Sequence, residues 1–337
     1  MSTDTHLPWL LDGDPAIRWQ TRRDLLNEPP EAYEPDRARI TTEGWGARLL
    51  ALQDPAGTWA KALYSPKWTS TTYTLLLLRH LGLPPESPQA RRGCELLLNT
   101  GFYRDGGINL FKSFKHSETC VTGMVLALLG YFRLRDDRVH RIVEHLLGQQ
   151  MADGGWNCER PKGATHGSFH TTISVLEGMH EYALVYPARA GALSDAVARA
   201  HEFLLIHRLY RSHRTGEVAD PAMARITFPP RWHYDFLRGL DYFRWAGAPR
   251  DERMTDAIAL LRSKQTPDGC WKLGQNWPGR VFFEMEKVGQ PSRWNTLVGL
   301  RVLRWWEGRT NETLDSYHEV PVLTCGNFLG PAKCGGS

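Results

Sequence analysis

Three stretches, QDPAGTW (53–59), QMADGGW (150–156) and QTPDGCW (265–271), repeat one pattern: a Gln, a short polar turn carrying Gly, and a Trp. A fourth, FYRDGGINL (102–110), keeps Asp105, Gly106 and Gly107 but has Ile108 and Asn109 where the Trp is expected. The spacing leaves room for a fifth copy near RLYRSHRTG (208–216). The period is then roughly 50 residues, in the range of helical-pair repeats. Asp-Gly and Gly-Gly supply the positive φ angles that a tight connection needs.

Apolar residues at helical spacing flank each turn, for example over 137–150 and 169–184 around the clearest copy. Five segments after the turns open on a polar or aromatic cluster and run into a strongly apolar helix: SPKWTSTTYTLLLL (65–78), KHSETCVTGMVLALL (115–129), HGSFHTTISVLEGM (166–179), PPRWHYDFLRGLDYF (229–243) and QPSRWNTLVGLRVL (290–303). The helices before the turns, such as 194–207 and 251–264, are shorter and more charged. An apolar inner layer and a more polar outer layer follow. The expected fold is all-α, a single (α/α)6-type toroid over residues 1–310 with close to six helical pairs and essentially no sheet. The opening segment, with Trp9, Asp14, Pro15, Trp19 and Arg23, supplies the element that closes the ring. The Gly- and Pro-rich tail at 311–337 is expected to wrap over a barrel end or to be partly disordered.

These Gln-to-Trp repeats with alternating helices resemble those of squalene cyclases, class II terpene cyclases and protein prenyltransferase β-subunits, over roughly Trp45 to Trp306. The resemblance implies that the Gln caps a helix terminus and the Trp stacks nearby, in the pairs Gln53 with Trp59, Gln150 with Trp156 and Gln265 with Trp271. It implies a divergent, single-toroid member, because the Asp-x-Asp-Asp acid motif and the Asp-Asp-x-x-Asp magnesium motif are both absent from the sequence. It also implies a hydrophobic small molecule as substrate, in terpenoid chemistry of the isomerase or transferase kind.

Composition narrows the classes further. Lys plus Arg number 41 against 37 Asp plus Glu, with no basic block of the length of a nucleic-acid arm, so nucleic acid is not an expected partner. No basic n-region precedes an apolar h-region near the N-terminus, and no apolar run reaches membrane-spanning length, which reads as a cytoplasmic protein without a transmembrane segment. The six cysteines are scattered without a CxxC pair and read as reduced thiols.

A repeat of fixed handedness puts every inner-helix start at one barrel end, so the five polar clusters are expected to converge there around the largest cavity. That mouth would be ringed by Trp68, Glu118, His170, His233, Asp235 and Trp294. Glu118, His170, His233 and Asp235 are the candidate catalytic groups, since burial beside aromatics raises a carboxyl pKa. Lys67, Trp68, Tyr73, Arg231, Trp232, Arg293, Trp294 and Asn295 are candidate substrate contacts, the cations for a diphosphate or other anion. Ser and Thr at helix starts are also ordinary N-caps. A zinc site is a further expectation, from Cys120, Cys158, His166, His170 and His233, with His166 and His170 four apart on one helical face. Three classes stay open: a terpene cyclase- or prenyltransferase-like enzyme, a zinc- or thiol-dependent transferase or cyclase, and a noncatalytic ligand-binding barrel.

Overall fold

The structure, a computed structural model, describes residues 6–308. The expectations for the 311–337 tail, including Cys325 and Cys334, lie outside the described residues. Thirteen α-helices are described: α1 (Leu7–Leu11), α2 (Pro15–Asp24), α3 (Pro30–Ala38), α4 (Gly44–Leu50), α5 (Thr71–Leu81), α6 (Pro88–Gly101), α7 (Thr119–Tyr131), α8 (Arg138–Gln149), α9 (Phe169–Val185), α10 (Ser194–Ile206), α11 (Phe236–Trp245), α12 (Thr255–Ser263) and α13 (Arg293–Trp306). The described strands are β1 (Trp271–Lys272) and β2 (Pro291–Ser292), a two-residue antiparallel pair at the last turn.

Burial separates the layers. In α5 every residue from Thr71 to Arg79 is buried, and in α7 every residue from Val121 to Gly130. Helix α8 buries only Val139, Ile142, Val143 and Leu146, one stripe at i, i+3, i+4, i+7. Helices apolar all round are surrounded by other helices; striped ones face water. The inner ring is α2, α5, α7, α9, α11 and α13, and each of α4, α6, α8, α10 and α12 stands before its inner partner as an outer helix. The short α1 precedes α2 in the same order, which completes six pairs in an α/α toroid.

The ring closes where α13 meets the N-terminus. Arg301 Nη1 donates to Gln20 Oε1 at 2.8 Å, and Arg293 Nε donates to the Trp9 carbonyl at 2.9 Å. The neighbouring inner pair is joined by the Trp19 indole, which donates to the Leu81 carbonyl at 2.9 Å. Asp14 caps α2 through the Ala16 amide at 2.9 Å and reaches the Trp45 amide at 2.7 Å, tying α2 to α4.

The turns share one hydrogen-bond plan. The indoles of Trp59, Trp156 and Trp271 donate to the carbonyls of Leu49, Leu146 and Leu261, ten residues back near the end of the outer helix, at 2.7, 2.7 and 2.8 Å. Their backbone amides donate to the hydroxyls of Thr71, Thr172 and Thr296 in the first turn of the inner helix. Gln53 donates to the Gly57 and Gln89 carbonyls, both at 2.9 Å, and Gln150 to those of Gly154 and Ala196 at 2.8 and 2.7 Å. The Gln thus joins its own turn to the start of the next outer helix. The degenerate copies keep this frame: Phe102 bridges Ile108, Arg211 bridges Val218, and the Ile108 amide donates to Thr122 at 3.0 Å.

Helices α7 and α9 approach through two glycines. A Cβ at Gly178 would lie 2.6 Å from the Gly123 carbonyl oxygen, and one at Gly123 would lie 2.8 Å from the Ser174 backbone. Backbone cannot swing aside as a flexible side chain can. Gly178→Ala is therefore expected to push the helices apart and to lower stability by about 1–3 kcal/mol, read by urea unfolding. An unchanged midpoint would show that the contact has slack.

Candidate functional site

The starts of the inner helices do converge, but on an aromatic plug with a separate space of about 240 Å³ beside it, and not on one open mouth. The segments 226–234 and 275–290 meet at that end. His233 lies between two indoles, with ring centroids 3.3 Å from Trp277 and 3.8 Å from Trp232, both stacked. Trp68 stands edge-on to Tyr73 at 4.8 Å, lies 5.9 Å from His233, and donates its indole N–H to the Pro278 carbonyl at 2.8 Å. Lys67 Nζ sits 5.2 Å over Trp232. Tyr73 donates its hydroxyl to the Tyr64 hydroxyl at 2.8 Å.

The two histidines are neutral parts of this plug. His170 Nδ1 accepts from the Tyr234 amide at 2.8 Å, and burial, aided by Arg238, pulls its pKa to about 4. Burial, with His170, Arg238 and Lys67 adding repulsion, pulls His233 to about 3. The His233 ring between two indoles has no room to meet a substrate, and neither histidine lines the barrel cavity, which corrects the expectation that His170 and His233 ring it. Glu118 precedes α7 without capping it, and its pKa is raised by burial and by Glu159. It lies away from the barrel cavity. Arg293 is drawn to the ring closure, where it also lies 4.9 Å over the Trp9 ring.

The zinc candidates divide. The thiols of Cys120 and Cys158 hydrogen-bond to each other, and that bond, helped by Thr171 and opposed by burial, lowers Cys158 to about 7. His166 instead meets the Arg214 guanidinium at the surface, and His170 and His233 belong to the plug. Among the described residues no group of three or more His, Cys, Asp or Glu is placed to hold a metal ion. Two sulfurs fall short of the three or four protein ligands that zinc takes, so this arrangement does not fit the expected site.

The main cavity, about 250 Å³, lies inside the ring and is lined mostly by the carboxyl-terminal halves of the inner helices. Only Asp235, Trp294 and Asn295 of the expected set reach it, at its inner end. Trp294 stacks on Phe228 at 4.2 Å, which backs that end. Asp235 is 2% exposed and caps α11; it accepts from the Arg238 amide at 2.9 Å and from the Thr227 hydroxyl at 2.6 Å. Burial raises its pKa, and those hydrogen bonds partly offset the rise. Trp19, Tyr131, Tyr242 and Trp245 form aromatic wall.

Sequence reading missed the other wall, a buried network of arginines and carboxylates. Arg79 holds Glu181 at 2.9 Å and Glu177 at 3.1 Å, and Arg238 holds Glu177 at 2.8 Å. Arg244 and Arg301 share Asp241, and Arg301 also reaches Asp24 at 3.0 Å. Burial opposes ionisation of Glu177, but Arg238 and Arg79 overcome it and hold the carboxyl at about 2. Glu181, with Arg79 alone, stays above the usual carboxylate range because burial prevails. The signal was present: single charges inside apolar helices, as in TLLLLRHL (74–81), ISVLEGM (173–179) and LVGLRVL (297–303).

No helix among the described residues is long and apolar enough to cross a membrane. No protein-family model and no curated protein matches the chain. Similar solved structures include the ligand-free type II terpene cyclase MstE from Scytonema, 17% identical over 87% of this chain and 89% of that one, with a TM-score of 0.44. A variant of that cyclase in complex with geranylgeranyl dihydroxybenzoate as substrate is 18% identical over 86% of each chain, with a TM-score of 0.43. Another, in complex with merosterolic acid A as product, is 17% identical over 90% of this chain and 98% of that one, with a TM-score of 0.41. These likenesses are too distant to pass a function from one chain to another, and the fold rests on the repeat geometry above.

Proposed function

We propose that the barrel is the chamber of a terpene cyclase-like enzyme, which binds a short isoprenoid with an anionic head and starts its cyclisation with a proton from Asp235. One observation carries this reading: a buried carboxyl with a raised pKa sits at the inner end of an aromatic-walled cavity whose other walls carry arginines. The resemblance of the Gln-to-Trp repeats to those of squalene cyclases supports it. In its protonated form this carboxyl, which burial makes a weaker acid than a free Asp, adds its proton to an alkene carbon as its O–H bond breaks. The faces of Trp294, Trp245 and Tyr242 then stabilise the resulting carbocation. The proton lost at the end leaves the substrate's formula unchanged. Arg23, Arg37 and Arg244 lie on the same lining, each paired with a carboxylate (Asp24, Glu34 and Asp241), and their remaining N–H groups would meet a phosphate or carboxylate head.

Size supports a short substrate. A cavity of about 150 Å³ takes a benzene ring, so about 250 Å³ suits a ten-carbon body and not a squalene-length chain. The test is incubation with geranyl diphosphate, with product analysis by gas chromatography and mass spectrometry. Cyclic product is expected from the wild type, and Asp235→Asn is expected to lose turnover by about 10²–10⁴-fold, with its far-ultraviolet circular dichroism unchanged. Equal turnover in the variant would remove Asp235 from the chemistry. Saturable binding without conversion, in both proteins alike, would favour a binding barrel, for which the burial of most polar helix starts in the plug already speaks.

A further inference from the structure

We infer a second ligand site, outside the barrel cavity, that takes a small oxyanion, a carboxylate or phosphate group, on Arg231. The segment 227–231 divides two spaces: Thr227 and Pro230 line the barrel cavity, while Phe228, Pro229 and Arg231 line another of about 240 Å³ under the 275–290 loop. Arg231 is 8% exposed. Among the described residues its guanidinium has no carboxylate partner, and its Nη1 is buried without a hydrogen bond. The group that faces it is the Trp68 ring, 5.4 Å from the guanidinium carbon.

A buried guanidinium without a counter-ion is among the costliest arrangements a fold holds. Burial lowers its pKa only to about 10, so it stays a cation at neutral pH. Every other buried arginine described above has a carboxylate in reach. A second donor points the same way, since the Trp277 indole N–H, on the wall of the same space, is also buried and unpartnered. Two carboxylates share that wall: Glu286 is committed to the Ser292 hydroxyl and the Trp294 amide at 3.1 Å, and Glu284 is exposed to solvent. A planar fork and an indole N–H on one lining match the two oxygens of a carboxylate or phosphate. The Phe228, Phe283 and Met285 walls favour an apolar body on that group.

The site is tested on the full chain by calorimetric titration with sodium benzoate and, separately, inorganic phosphate, at constant ionic strength set with chloride. One of the two should bind saturably at one site, and which one does identifies the head group. Arg231→Gln should weaken binding by at least about 30-fold, Arg231→Lys by about 10-fold because a point charge replaces the fork, and Trp277→Phe by a few-fold. Without anion, Arg231→Gln should melt no lower than the wild type, since it removes an uncompensated buried charge. Failure of both anions to saturate, undiminished binding by Arg231→Gln, or a markedly lower melting point of that variant without anion would overturn the site. None of these outcomes bears on turnover at Asp235.

Discussion

Trp156→Ala is expected to lower the unfolding free energy by roughly 3–5 kcal/mol, the range for deleting a fully buried aromatic. Trp156 is 0% exposed, and its indole holds the Leu146 carbonyl at the end of α8 while its amide holds Thr172 at the start of α9. Removing the ring opens a large void between the layers and strands the Leu146 carbonyl without its donor. Trp156→Phe keeps most of the volume and loses the N–H, so its cost should be about 1–3 kcal/mol. Guanidinium unfolding with a common slope resolves the two. Similar midpoints for Ala and wild type would mean that the turn is held by its backbone and Gln150 alone.

Glu177→Gln is expected to cost about 3–5 kcal/mol at neutral pH, because it breaks a buried network from one side. Arg79 keeps Glu181, but Arg238 loses its carboxylate. The same residue sets a pH dependence. Its folded pKa, about 2, lies below the 4.5 of an unperturbed glutamate. Its contribution is therefore fully present above about pH 4.5 and is lost as pH falls through about 2, a span of about 3 kcal/mol. Asp24 and Asp241, also lowered by their arginines against burial, act in the same direction. Glu181 is raised, and its protonation on acidification favours the folded state. Stability measured from pH 6 to pH 2 should fall less steeply in Glu177→Gln than in the wild type. An equal slope would assign the acid sensitivity to other carboxylates.

The fold was legible because its turns are defined by local chemistry. Gly57, Gly154 and Gly269 have φ of +92°, +87° and +83°, and each sits two residues before a Trp that braces two layers. Ile108 and Val218 show why two copies were faint: the position requires an apolar side chain on the bridge, and the indole bond is an addition to it. The site was less legible. Helix starts can be read from a sequence, but loops that meet beside them cannot, and the stack of Trp232, His233 and Trp277 joins segments more than 40 residues apart. The arginine network hid for a related reason. Each helix shows one charge, and the partners lie far off in the chain, as with Arg79 and Glu181, 102 residues apart.

The bonds from Arg301 to Gln20 and from Arg293 to Trp9 join residues 281 and 284 positions apart. A ring fastened there cannot close on the ribosome until α13 has emerged, long after α2 was made. Until then the apolar faces of α2 and of the last completed inner helix are open to water, and a chain in that state associates readily with others. Closure of so distant a contact is slow, so the last step of folding should be the joining of the two ends. Linking the termini and opening the chain at the exposed Gly191 would bring α13 and α2 together early and leave α9 and α11, where Glu177 meets Arg238, as the pair that joins last.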